Sequence, residues 1–341
     1  MKNRIVRFNK FGSPDVLQIF EEKLKIPDHD EVRIRIKAFG VNQGEVMYRE
    51  GRYVSKPNFP SRLGSEGSGI IDLIGNNNIK FKVGDEVTII PFLSWDIHGN
   101  WTSDSSNKYG TYGDTAIVPA WTISKKVSNQ SFEESSAIWA QYLTAWGGLV
   151  YNSDIEKRNC CIFTGASSSA AIGGMQIVKS FGLQAYAISR TLEKNTTLIN
   201  IGYDDVLSLT DPKLEENIMD LTNGIGFDLA YDCVGGEYFI NLLNTAKPQA
   251  LIINYGNLNL NSSNIKTSLL LSKRLQIRYH SIFDTMRFNN QREEGINWIN
   301  DKIKKSILKP IISKIFHLDD IVDAHKYLAE ACHVGKVVVT T

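Results

Sequence analysis

The sequence predicts an α/β protein of two domains. One is a β-rich domain and the other a doubly wound parallel sheet with helices on both faces. Three observations carry this. The chain has 341 residues, long for a single core. Its first third is short, alternating apolar strands separated by Gly and Asn clusters. From about residue 160 the pattern changes to repeated strand–helix units of the size that builds a parallel sheet.

In the first region "EVRIRIKAFGVN" alternates through Val32, Ile34 and Ile36, and "GSGIIDLIG" and "DEVTIIP" are further strands. Residues 94–112, "SWDIHGNWTSDSSNKYGTY", form a polar loop dotted with aromatics (Trp95, His98, Trp101, Tyr109, Tyr112). A loop of that length is functional or disordered; its aromatics either cap an apolar substrate or anchor the loop. Ser131 with Glu134 is a capping box that opens a helix through "SFEESSAIWAQYLTAWGGLV". The βα units then run 160–164 with 172–181, 184–188 with 192–200, 205–208 with 213–222, and 227–232 with 236–246, followed by a strand at 249–254. The tail from Gly295 reads helix, strand, helix and the closing strand "GKVVVT".

Bulk properties exclude several classes. Lys and Arg total 38 against 37 acids, a net charge of +1, so there is no general electrostatic drive toward nucleic acid or anionic membrane. No apolar run reaches the length of a spanning helix, and "MKNRIVRFNKFGSPDVLQIF" lacks the apolar core of a secretory signal, which predicts a cytoplasmic protein. Cys160, Cys161, Cys233 and Cys332 form no C-x-x-C pair and read as free, buried thiols.

The stretch "CCIFTGASSSAAIGGMQIVKSFG", residues 160–182, is strand, tight turn and helix, the form that receives a dinucleotide pyrophosphate. Gly165, Ala166, Ser168, Ser169 and Ala170 are the candidate phosphate contacts, with Ser168 and Ala171 where glycines normally stand. Alone, the turn fits a packing corner equally well. The next strand adds direction. A ribose-binding acid is absent from its end, and Ser189, Arg190 and Lys194 stand there instead. A hydroxyl and a guanidinium suit a 2′-phosphate, so the predicted cofactor is NADPH.

Seven segments in order then resemble the medium-chain dehydrogenase/reductase superfamily, in its zinc-free quinone oxidoreductase branch: "AFGVNQGEVMYREGRY", "LGSEGSGII", "FKVGDEV", "YLTAW", the "TGASSS" turn, "GFDLAYDCVGG" with "INYGN", and the closing "HLDDIVDAHKYLAEACHVGKVVV". The resemblance implies a GroES-like β domain, residues 1–125 completed by 285–341, around a Rossmann domain, residues 126–284. It implies that the positions of zinc ligands are held by Asn42, Ser65 and Ala140, with Glu66 a supporting carboxylate, and none of the first three is a zinc ligand type. Asn42 and Tyr53 match polar residues lining the substrate site and are the candidate catalytic pair, an amide and a phenol to hydrogen-bond a developing oxyanion. Thr144, Tyr255, Gly256, Asn257 and Lys336 match cofactor contacts. Glu45 stands where the family signature commonly has Asp. The implied activity is metal-independent hydride transfer from NADPH to a quinone or α,β-unsaturated carbonyl. An enoyl-thioester reductase and a catalytically idle NADPH-binding regulatory protein are the alternatives. The implied partner is a small molecule. A homodimer is implied through a Rossmann-domain edge strand, at 249–254 or within 271–283.

Overall fold

The computed structural model describes residues 3–76, 80–95, 101–102, 108–190 and 192–341. The elements of the first half are β1 (Asn3–Phe8), β2 (Gln18–Glu22), β3 (Glu31–Val41), α1 (Gln43–Arg49), β4 (Ser61–Arg62), β5 (Gly67–Ile74), β6 (Glu86–Ile89), β7 (Ser94–Trp95), β8 (Trp101–Thr102), β9 (Thr115–Pro119), β10 (Ile123–Lys125), α2 (Phe132–Ser135) and α3 (Trp139–Ala145). A π-helical turn, Trp146–Tyr151, follows. Then come β11 (Cys160–Thr164), α4 (Ser169–Ser180), β12 (Gln184–Ser189), α5 (Asn195–Asn200), β13 (Asp205–Ser208), α6 (Leu214–Leu221), β14 (Phe227–Asp232), α7 (Phe239–Thr245), β15 (Ala246–Asn254), α8 (Thr267–Lys273), β16 (Gln276–Tyr279), α9 (Ile282–Arg287) and α10 (Asn289–Lys304). The tail adds β17 (Ile312–His317), α11 (Ile321–Ala329) and β18 (Lys336–Thr340).

The chain divides into two compact units, Met1–Ala140 with Lys309–Thr341, and Gln141–Leu308. In the first unit a sheet runs β10-β6-β5-β3-β18-β17, with β9 also on β3, and a smaller sheet runs β2-β1-β4. The closing strand β18 lies antiparallel to β3, pairing Val337 with Val41 and Thr340 with Ala38. Val32, Ile34 and Ile36 share one face of β3, as the alternation predicts, and join Phe8, Phe39, Val87 and Val339 in the core.

The second unit holds a parallel sheet of order β13-β12-β11-β14-β15-β16. This is the doubly wound order whose ligand crevice lies beyond the carboxyl ends of the central strands.

Four expectations change. The unit boundaries fall at 140/141 and 308/309, not at 125/126 and 284/285. The capping-box segment stays with the first unit, where Phe132 O accepts from Ser68 Oγ at 2.6 Å. Helix α10 stays with the second, where Gly295 lies so close to Leu143 and Trp146 that an added Cβ would meet them within 3 Å.

The helix expected through 131–150 is broken between Ser135 and Trp139. Its capping box forms, with Glu134 N on Ser131 Oγ at 3.1 Å and Ser131 N on the Glu134 carboxylate at 3.0 Å. The break follows from long-range partners: Ala140 N donates to Glu66 and Trp139 Nε1 to Thr88 Oγ1.

The strand ending at Asn254 is interior to its sheet, between β14 and β16, so the edge among the two candidates is β16. The fourth change concerns the thiols. Cys160, Cys161 and Cys233 are free and buried, but Cys332 is exposed. Burial pushes the Cys160 thiol up to about 11 and that of Cys233 to about 12, which removes their nucleophilicity at neutral pH.

Candidate active site

In the second unit the turn after β11 begins at Gly165, whose φ of +56° is a left-handed conformation. A Cβ there would sit 2.6 Å from Cys233 Sγ, so both conformation and space require glycine. Ser168 caps α4, its Oγ accepting from Ala171 N at 3.3 Å. Among the described residues the N–H groups of Ser169 and Ala170 have no protein acceptor and remain donors at the start of a 12-residue helix. Those are the groups a pyrophosphate uses. Ala166 N is taken by Ile188 O at 3.3 Å, and its carbonyl by the Tyr203 phenol at 3.1 Å, so this residue shapes the turn rather than offering a donor.

At the end of β12, Ser189 is buried, and Arg190 is exposed with no hydrogen bond or ion pair to the described residues. Lys194 reaches back to Ser167 Oγ at 3.1 Å, tying the second βα connection to the first. On the other side of β11, Asp232 organises the ends of β14 and β15. Its carboxylate accepts from Thr164 Oγ1, from Asn254 Nδ2 at 2.7 Å, and from Val234 N and Gly235 N at 3.1 Å. Tyr255 stacks on Tyr231 with centroids 3.9 Å apart, and its phenol is buried without a hydrogen-bond partner among the described residues. Gly256 packs on Cys233, where a Cβ would lie 3.1 Å from it. Asn257 Oδ1 lies near Gly235. Thr144 is buried and lies near His280. The second unit thus gathers Gly165, Ser168, Ser169, Ala170, Tyr255 and Gly256 around the carboxyl ends of β11, β14 and β15. These residues fit a nicotinamide dinucleotide: the turn offers free amides, and no carboxylate stands at the end of β12.

In the first unit, Asn42 precedes α1. Lys336 is 1% exposed and its ammonium donates to Glu66 Oε1 and to Asn42 Oδ1; Glu66 is 0% exposed. Glu66 Oε2 accepts from Ala140 N at 2.9 Å. Only glycine at position 40 leaves room for this pair, since a Cβ would stand 2.5 Å from Lys336 Cε and 2.8 Å from Glu66 Oε1. Asn42 Nδ2 donates to Glu66 at 3.1 Å and approaches Glu45 at 3.4 Å and Ser65 Oγ at 3.5 Å.

The Asn42 carboxamide, expected at the substrate oxygen, is held by Lys336 and Glu66. Lys336, expected at the cofactor, contacts Glu66 and Asn42 within the first unit.

Glu45 is another buried carboxylate of this unit. It accepts from Asn42 N at 2.6 Å, Ser65 N at 2.8 Å, Ser65 Oγ at 2.7 Å and the Tyr112 phenol at 2.9 Å. Burial pushes its carboxyl up, opposed by these donors and by the Lys336 charge. Tyr112 stacks on Phe39 with centroids 4.4 Å apart and meets His325 Nε2 at 3.2 Å. It is therefore core rather than a substrate cap. Tyr109 donates to Glu31 at 2.7 Å and packs on Phe92, anchoring the loop. Trp95 and Trp101 are backbone register partners in the β7–β8 pair, and His98 lies outside the described residues. Sequence reasoning missed Tyr112 and His325 as part of this network; their signal was a buried polar pair 213 positions apart, which no local pattern carries.

Tyr53 is half-buried against Gly44, whose added Cβ would touch the ring at 3.4 Å. Burial, and then the Glu45 charge, push its phenol up to about 12. Among the described residues its hydroxyl has no hydrogen-bond partner. It stays protonated and is a donor near the Glu45 carboxylate.

Zinc does not fit here. Among the described residues no three His, Cys, Asp or Glu side chains form a metal-holding group. Asn42, Ser65 and Ala140 supply neither thiolate nor imidazole, and the Lys336 ammonium would repel a cation at Glu66.

Two histidines are held neutral. Burial, and then the charge of Arg49, push His325 down to about 3; burial, against Asp284, pushes His280 to about 4. The unfolded imidazoles protonate near ~6.5. Between those values the unfolded state binds more protons, so stability is fully present above pH ~6.5 and falls as pH drops toward 4. Each histidine adds a slope of up to about 1.4 kcal/mol per pH unit. Urea unfolding from pH 7 to 4.5 should show this loss, and His325→Gln should make the slope shallower. An unchanged slope would mean that His325 is not held neutral.

The fold, with the relatives below, defines an oxidoreductase of the nicotinamide-dependent class. The alcohol dehydrogenase GroES-like domain profile matches residues 28–128, and the zinc-binding dehydrogenase profile matches residues 201–339. The quinone oxidoreductase of Homo sapiens is 25% identical over 327 residues, covering 95% of this chain and 93% of the relative. Quinone oxidoreductase 1 of Escherichia coli is 23% identical, covering 97% of each chain. Among solved structures, an NAD-dependent alcohol dehydrogenase superposes with a TM-score of 0.89 at 25% identity, covering 99% of both chains. The Escherichia coli quinone oxidoreductase complexed with NADPH gives 0.87 at 22% identity, covering 99% of this chain and 100% of that one. The chain belongs to the medium-chain dehydrogenase/reductase superfamily, in its quinone-oxidoreductase-like branch. Its first unit is GroES-like and its second Rossmann-like. No helix among the described residues is long and apolar enough to cross a membrane.

Proposed function

We propose that the protein reduces a quinone or an α,β-unsaturated carbonyl with NADPH, without metal. The observation that carries this is the donor set of the first unit: an unpartnered Tyr53 phenol near the Glu45 carboxylate, with Asn42, Ser65 and Ala140 offering no metal ligand set. A conjugated acceptor takes hydride at carbon while charge develops on its oxygen, so it needs a positioned hydrogen-bond donor and no Lewis acid. Tyr53 supplies that donor. Asn42 acts by position, fixed by Lys336 and Glu66 so that the first turn of α1 holds Glu45 beside the Tyr53 ring. NADPH, when bound, supplies the hydride. Gly165, Ser168, Ser169 and Ala170 would hold its pyrophosphate, Ser189 and Arg190 its 2′-phosphate, and Thr144, Tyr255, Gly256 and Asn257 its nicotinamide half. Lys194 would brace the turn through Ser167. The protein would act in the cytoplasm on a small molecule. A homodimer would form through β16, whose Tyr279 is 76% exposed at the sheet edge.

The test is NADPH oxidation across quinones, enones and enoyl-thioesters, with NADH in parallel. Turnover only on thioesters would replace the proposed acceptor, and NADPH binding without turnover on any acceptor would overturn the enzymatic reading. In the same assay Arg190→Ala should raise KM for NADPH roughly ten- to a hundred-fold, the loss of a charge-assisted hydrogen bond of about 1.5–3 kcal/mol. KM for NADH should barely move. An equal loss for both cofactors would show that Arg190 does not read the phosphate.

A further inference from the structure

A cavity of about 60 Å³ opens in the first unit, away from the residues described above. It is lined by Glu22, Lys25, Asp28, Arg62, Lys108 and Thr115, among others. One water needs only ~10–15 Å³, so a larger occupant fits.

The charges around it do not balance. Glu22 is paired with Arg7 at 2.8 Å and has Lys25 at 3.9 Å. Asp28 and Glu31 both pair with Lys108. Arg62 is left over. It is 4% exposed, and among the described residues it has no carboxylate within 4 Å. Of its five N–H groups one is used, by Nη2 on Thr115 O at 3.1 Å, and Nε is buried without a partner.

The strand register makes this worse. Arg62 stands directly opposite Arg7 in the antiparallel β1–β4 pair, and like charges facing across strands repel. Burial, with Glu22 opposing and Arg7 adding to the effect, pushes the guanidinium down to about 10. Arginine does not escape burial by losing its proton at neutral pH. A buried, unpaired guanidinium is retained when something brings it an anion.

We propose that this cavity is a binding site for a small oxyanion, a phosphate or carboxylate group, held by Arg62 with Lys25 at the mouth. The planar fork of the guanidinium matches two oxygens of such a group and distinguishes it from a spherical halide. Lys25, which lines the cavity, is exposed and gives an anion a cationic approach, while the Asp28 carboxylate beside it is paired with Lys108. Occupancy would neutralise the Arg7–Arg62 repulsion and fix β4, the strand that leads into Ser65 and Glu66.

The test is thermal unfolding of the full chain in phosphate, acetate and chloride at matched ionic strength, with wild type, Arg62→Met and Arg62→Lys. Phosphate or acetate at tens of millimolar should raise the wild-type Tm by roughly 2–4 °C over chloride. Whichever of the two does so identifies the group. Arg62→Met should unfold at or above the wild-type temperature in chloride, because it removes an unpaired buried charge, and should lose the oxyanion effect. If Arg62→Met does not fold, Arg62→Lys, which keeps the charge without the fork, should respond less than wild type. Equal wild-type Tm in all three salts overturns the proposal, as does an oxyanion effect that survives undiminished in both variants.

Discussion

Lys336→Met is expected to destabilise the protein by about 3–5 kcal/mol, the cost of leaving one partner of a buried ion pair without the other. Both Lys336 and Glu66 are sealed from solvent. Removing the ammonium leaves the Glu66 carboxylate with Ala140 N and the Asn42 amide as its donors. Asn42 Oδ1 loses its partner at the same time. The double variant Lys336→Met/Glu66→Gln removes both charges and should recover a large part of the loss, because a neutral, hydrogen-bonded pair avoids most of the desolvation cost. Urea unfolding of the three proteins decides it. A single variant within about 1 kcal/mol of wild type would mean that the pair is solvated, since exposed ion pairs contribute that little. A double variant worse than the single one would mean that Glu66 is held by its backbone donor and not by Lys336.

That pair also marks where sequence reading ends. The strands and helices of the second unit were legible because each βα unit is locally patterned. The strand Cys160–Thr164 and the glycine at 165 follow from composition and turn chemistry alone. The alternation of β3 was legible for the same reason. The break at Ser136 to Ile138 was not, because its cause is a carboxylate 74 positions away. Lys336 and Glu66 are separated by 270 positions, and on local grounds a lysine opening a terminal strand is a solvated residue. Arg62 is hidden in the same way: its isolation depends on which acids Arg7 and Lys108 take, a matter of three-dimensional pairing. What could have pointed to the pair is Gly40, a glycine inside a strand where none is needed for a turn. A strand glycine signals close approach of something else, here the lysine and its carboxylate.

Tyr53→Phe should lower kcat on the best acceptor by about ten- to a thousand-fold, with loss of a single oxyanion donor as the upper bound. The substitution keeps the ring that packs on Gly44 and forms an edge contact with Tyr48 at 6.4 Å, so the fold should be unaffected. Because burial and Glu45 hold the phenol up near 12, the group stays protonated across the working range, and kcat should show no Tyr53 titration below pH ~10. In the proposed reaction it would donate a hydrogen bond to the developing oxygen and leave the final proton to water. The loss should fall on kcat and on kcat/KM alike, with KM little changed, because the charge it stabilises is absent from the ground state. Asn42→Ala gives the contrast. Its amide is held by Lys336 and Glu66, so its removal should lower stability together with activity, whereas Tyr53→Phe should lower activity alone. Thermal unfolding and steady-state kinetics on the same preparations separate the two. If Tyr53→Phe retains wild-type kcat and KM, the hydroxyl is not the oxygen's donor. If Asn42→Ala alone loses turnover at unchanged stability, the amide has left Glu66 for the acceptor, and the oxyanion donor is Asn42.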